Sequence, residues 1–271
     1  MVLVMSPNTD LFWQDPGQFV ENEIRRVLDV ASYVPEEPRV FSWFYKTLRR
    51  RYPDLTELPL TRVKSLGKPL AHSSEIVQLP LTHNIVHCCN PEHLAMTHFL
   101  TVPFFKYVSM RPGGFDPSTG GANYLITIQR GIDLFGAGFY PFTREVTMYM
   151  HGPLCFELDT GELSIFFKMI PLSAQRHLIE IALYYTGEVE EWQEPFMPKI
   201  GEFFVRTSLG EDSQYLEEID NADNAVFNSS DQRALELPGL QLYRQHYSDQ
   251  LRVILNDAYE IANSVIEPSS R

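Results

Sequence analysis

The chain has 271 residues, a formal net charge of −13, and 44% hydrophobic against 21% charged residues. That balance excludes a disordered chain and gives enough apolar mass for one large core or two small ones. The acidic charge excludes nucleic acid and anionic membrane as default partners.

Cys88, Cys89 and Cys155 are the only cysteines. Three do not make a disulfide framework, so a reducing compartment is expected, cytoplasmic or otherwise intracellular. The segment Met1–Pro7 has no basic region ahead of a long apolar run, and no stretch is apolar for about 18 residues. Neither a signal peptide nor a transmembrane segment is therefore expected.

Asp15-Pro16 opens the first predicted helix, with Val20, Ile24, Val27, Leu28 and Ala31 on one face. A second starts near Glu37-Pro38 and stops at Pro53. Its end is basic: Lys46, Arg49, Arg50, Arg51, Arg62, Lys64 and Lys68 face only Asp54 and Glu57 across residues 46–68. Residues 54–82 read as extended and loop-rich. Ile85-Val86 favours a strand through His83 and His87, and Asn90-Pro91-Glu92 starts a short helix that runs to about Thr101. The stretch from Arg111 to Gly121 is turn-rich and reads as a surface loop.

Asn123–Ile170 reads as a run of antiparallel strands. Val146, Met148 and Met150 alternate with Thr147, Tyr149 and His151, and Asp159-Thr160-Gly161 turns a hairpin. A helix is expected from Ser173 to Tyr185, and a short strand at Ile200–Val205. Residues 188–223 are strongly acidic, and Gly210–Gln232 reads as a mobile polar loop or arm. The C-terminal helix is the clearest. Tyr247, Leu251, Ile254, Ala258, Ile261 and Val265 make a heptad seam, to be packed on the first helix or on another subunit.

The fold class is thus α+β: a central antiparallel meander, helices before and after it, and a long C-terminal amphipathic helix. A single domain over 1–271 with long loop excursions is expected. The alternative subdivision is a helical part, 1–102, and a β core with the C-terminal helix, 103–271.

Five of the eight histidines fall between His72 and His98, with two cysteines among them. His83, His87, Cys88, Cys89 and His93 are metal-ligand types, zinc first, and Cys89 before a helix is a candidate nucleophile. The spacing fits no established metal motif, so the cluster reads first as side chains around a strand-to-helix junction, with no cofactor.

No catalytic signature stands in the sequence. The leading expectation is a non-catalytic structural or assembly subunit of the virion connector or tail kind, a homo- or hetero-oligomer with other protein subunits. Its interface would use Arg49, Arg50, Arg51 and Lys64 against Glu188, Glu190 and Glu191, with Tyr247, Leu251, Ile254 and Ile261 as an apolar seam. The alternatives are a metal-dependent or cysteine-based enzyme built on residues 83–98, and a small-molecule module with an aromatic pocket.

Overall fold

The computed structural model describes residues 50–51, 66, 69–93, 105–116, 121–134, 137–189, 191–228, 230 and 237–266. The predicted helices at 15–31 and 37–52 lie outside them except for 50–51, as do Arg49, Lys64 and Glu190.

Seven strands form one antiparallel sheet: β1 (Ala71–Val77), β2 (Phe105–Asp116), β3 (Gly121–Leu134), β4 (Ala137–Met150), β5 (Cys155–Asp159), β6 (Leu163–Ser173) and β7 (Arg176–Tyr185). Strands β2 to β7 follow one another as a meander, and β1 closes the far edge by pairing with β7. The helices are α1 (Leu81–Cys88), between β1 and β2, and α2 (Met197–Glu217), α3 (Ala222–Phe227) and α4 (Pro238–Ile266) after the sheet. Gly161 makes the β5–β6 turn at φ +86°, where a Cβ is disfavoured.

Period-two alternation gives the sheet two unlike faces. Ile126, Ile128, Val146, Met148, Phe156, Leu158, Ile165, Ile181 and Leu183 belong to one large core with the helices. Cys155, Phe166, Ala182 and Tyr184 make a smaller cluster on the other face.

Two tyrosines dock α4. Tyr247 Oη donates to the Met150 carbonyl at 2.8 Å and accepts from the Ala122 amide at 3.0 Å, while Tyr243 Oη donates to the Pro153 carbonyl at 2.7 Å. The helix can come this close because Gly239 has no Cβ. One there would sit 3.0 Å from the Cys89 carbonyl oxygen and 3.1 Å from the Tyr124 ring. The described part of the seam, from Tyr247 to Ala258, therefore packs on the chain's own sheet and on α3. Tyr247, Leu251 and Ile254 are core residues of this chain, which corrects their expected place in an interface. Ile261 lies on α4, but its side chain is outside the described residues.

Five local expectations are corrected. Residues 176–185 form β7, not a helix. Both faces of this strand are covered, so Leu178, Ile179, Ile181 and Ala182 are all buried, and an apolar run of that kind suits an inner strand as well as a helix. Residues 200–205 lie inside α2, and of the supposed mobile segment 210–232 the described residues 210–228 continue α2 and supply α3. Residues 83–87 are helical, not extended. The Arg111–Gly121 loop shrinks to a hairpin end, since β2 runs to Asp116 with a register shift between Pro112 and Gly114.

Arg50, Arg51, Glu188 and Glu191 are exposed, and Arg51 pairs with Asp257 of α4 at 3.2 Å. Among the described residues no helix is long and apolar enough to cross a membrane.

Leu251 is wholly buried and Val253 is 57% exposed. Leu251→Ala is expected to cost about 2–5 kcal/mol and Val253→Ala under about 0.5 kcal/mol in urea titrations. Equal losses would contradict the packing face of α4.

Candidate metal centre

Helix α1 carries His87 in its last turn. The chain then reverses at once. Asn90 N–H donates to the His87 carbonyl at 3.0 Å, and Asn90 Oδ1 accepts from Glu92 N–H at 3.2 Å. This Asx-type turn brings His93 back beside His87, with ring centroids 3.8 Å apart. The Asn90 carbonyl also accepts from His93 Nδ1, which leaves His93 Nε2 with its lone pair forward. Asn90 Nδ2 donates to Tyr215 Oη at 2.6 Å, and the Tyr215 ring lies 5.3 Å from His87 and 5.9 Å from His93.

Tyr215 stands on α2 one turn beyond Asp212. Asp212 Oδ1 lies 3.2 Å from His87 Nε2. His87, His93 and Asp212 are all buried, and each offers one ligand atom within 4.8 Å of the other two. Glu75, on β1, has its carboxyl pushed up by burial and by the negative charge of Asp212.

A second tie sets the position of α1. Asn84, one turn before His87, donates from Nδ2 to His177 Nε2 of β7. His177 Nδ1 in turn donates to the Leu79 carbonyl at 2.8 Å. The ring is fully buried and neutral. Burial pushes its pKa down to about 4, with His83 lowering it further and the Leu79 bond opposing.

The three side chains open onto a cavity of about 410 Å³ between α2 and the large-core face of the sheet. Ile128, Val146, Met148, Leu158, Ile165, Phe167 and Ile181 line it from the sheet, and Phe204, Val205 and Ser208 from α2. Arg130, Arg144, Thr160 and Glu162 line it as well.

Of the five residues singled out in the sequence, the structure brings together His87 and His93. His83 shares the helix but lies towards Asp223 and Ile219, and burial holds its pKa below the ordinary value. Cys88 lines the cavity, yet Cys88 and Cys89 are buried thiols that burial pushes up, and burial pushes the Cys155 thiol up to about 12. Burial disfavours the thiolate, which weighs against the cysteine-nucleophile alternative. His151 pairs with Glu157 at 2.6 Å, and Glu157 also accepts from Ser164. The carboxylate stands between histidine and serine, and Glu157 points to the other face of the sheet, so this network does not activate a nucleophile.

Asp212 escaped the sequence reading. It sat in a stretch with many acids, read as a loop. The available signal was a seam, Val205-Leu209-Asp212-Leu216-Ile219, in which an acid holds a core position.

No family model matches the chain, and no curated protein matches it by sequence. Solved structures do. The carbazole-bound oxygenase and ferredoxin complex of carbazole 1,9a-dioxygenase matches at 9% identity and TM-score 0.42, over 64% of this chain and 54% of that one. Dicamba monooxygenase bound to 3,6-dichlorosalicylic acid matches at 10% and 0.43, over 71% and 59%. A quaternary ammonium Rieske monooxygenase matches at 12% and 0.40, over 66% and 49%. The chain spans between 49% and 59% of the length of these three.

The expectation of a non-catalytic structural or assembly subunit, virion component included, is corrected here. The chain buries two imidazoles and a carboxylate around one point at the wall of an apolar cavity, which is a ligand set and a binding space rather than an assembly surface.

Below about pH 6.5 the unfolded chain takes up the His177 proton, while the folded chain refuses it down to about pH 4. The contribution of His177 to stability is full above that window and is lost as pH falls through it, by on the order of 3 kcal/mol. His177→Gln should flatten the difference between urea titrations at pH 7 and pH 4.5. An unchanged difference would rule out His177 as its source.

Proposed function

We propose that this chain is the catalytic part of a mononuclear non-haem iron oxygenase. One observation carries the reading: His87, His93 and Asp212 converge, buried, where an apolar cavity meets them. Two histidines and one carboxylate with positions left open is the donor set of non-haem iron(II) oxygenases.

The residues fit such an ion. Bonds of about 2.0–2.2 Å at right angles put neighbouring ligand atoms about 3 Å apart, and His87 Nε2 and Asp212 Oδ1 stand at 3.2 Å. His87 Nδ1 is buried with no hydrogen-bond partner among the described residues, so no hydrogen bond there holds the ring away from an ion. A plain buried His–Asp ion pair accounts for two of the three groups but not for the turn that presents His93. Bound iron with open positions supplies the activation of dioxygen.

The rest is the work of the chain. Asn90 holds His93 in one tautomer through its carbonyl and steadies Tyr215 through its amide. Asn84 and His177 fix the helix under His87. The apolar walls exclude water and hold a hydrocarbon body against the three side chains. The zinc reading over His83, His87, Cys88, Cys89 and His93 has less support, since only His87 and His93 of the five belong to the set.

A Rieske [2Fe–2S] centre takes two cysteines and two histidines. The cysteines here do not fit one. All three are buried, and Cys155 lies in the cluster on the other sheet face while Cys88 and Cys89 belong to the large core. The reading therefore requires electrons from outside the described residues, and a protein electron donor is the partner it implies.

Anaerobic reconstitution with iron(II) should give about one iron per chain. Asp212→Ala and His93→Ala should lose it, while His83→Ala and Cys89→Ser keep it, with circular dichroism confirming the fold of each. Iron retained by Asp212→Ala but lost from Cys89→Ser would overturn the assignment.

A further inference from the structure

The cavity has two unlike ends. At one end His87, His93 and Asp212 are buried. At the other, the strands that make its walls run out into solvent. On β4, Met148 and Val146 are buried and Arg144 is exposed. The four residue steps from Met148 to Arg144 cover about 13 Å. On β3, buried Ile128 is followed on the same face by exposed Arg130.

Strand register makes the two arginines neighbours. Ile128 stands opposite Arg144, so Arg130 is the diagonal neighbour of Arg144 on the cavity face. Two guanidiniums therefore share one rim, and Arg144 pairs with Glu162 at 3.8 Å in a half-exposed pair. The Arg130 side chain makes no hydrogen bond or ion pair among the described residues. The rim carries a surplus of positive charge in a chain whose net charge is −13. Arginine presents a planar fork that matches a carboxylate.

We infer that the cavity takes an apolar organic acid, with its carboxylate held at the rim by Arg130 and Arg144. Its hydrocarbon body lies along Ile128, Val146, Met148 and Ile181 towards the buried histidines. A neutral hydrocarbon leaves the surplus positive charge of the rim unanswered, and an ammonium ligand meets it with like charge. The inference names a substrate class for the site proposed above, so its relevance to catalysis rests on that reading, although the binding does not need the metal.

Three probes with one body separate the charge states: 2-naphthoate, 2-naphthamide and 2-naphthylmethylamine, titrated calorimetrically into the full chain, both metal-free and iron-loaded. The acid should bind about tenfold more tightly than the amide, and the amine most weakly. Arg130→Gln and Arg144→Gln should each weaken the acid about tenfold and leave the amide unchanged. Both positions are on the surface, so the fold survives. Equal affinities, an amide or amine that binds best, no binding of the acid, or a double variant that binds it undiminished would overturn the inference. An acid preference in a protein that takes up no iron would remove the proposed enzyme and keep the acid site. Iron uptake without the preference would do the reverse.

Discussion

The approach of His87 to Asp212 is the point at which the molecule is tied together. Two helices far apart in the chain meet there over one face of a seven-stranded sheet, with 3.2 Å between imidazole and carboxylate. A carboxylate in this position is costly unless its charge is answered. Much of the neighbouring structure holds that answer in place. The Asn90 turn returns His93, Tyr215 braces both rings from α2, and the Asn84–His177 bond fixes α1 on β7.

The sheet performs two tasks through one alternation. Its inward side chains are apolar in the middle, where they form the core and the cavity wall, and charged where β3 and β4 leave the core, at Arg130 and Arg144. The same pleat that buries Val146 and Met148 therefore delivers a guanidinium to the rim two residues on. The helix opposite is graded in the same way: Phe204 is partly exposed, Val205 is buried, and Asp212 stands deep in the cavity.

Much of the fold was legible. Alternation at 146–151 and the Gly161 hairpin gave the centre of the meander, and the heptad seam gave α4, because those patterns depend only on neighbours in sequence. The misread pieces depend on tertiary context. β7 lies between two strands with both faces covered, so its apolar run carries no strand period. Helix α2 exposes Phe203 and Ile200 and buries Asp212, which blurs a helical pattern. The site was half legible. The histidine cluster pointed to the segment that carries His87 and His93, but His83, Cys88 and Cys89 were as prominent as those two. Asp212, on a helix distant in sequence, carried no mark beyond an acid at a seam position.

The most direct measurement of the central claim is X-ray absorption at the iron edge on the anaerobically reconstituted chain. The account predicts a shell of nitrogen and oxygen only, with the outer-shell scattering of two imidazoles and no sulfur. A sulfur shell at about 2.3 Å, the thiolate distance seen with zinc, would place Cys88 or Cys89 on the metal and contradict it.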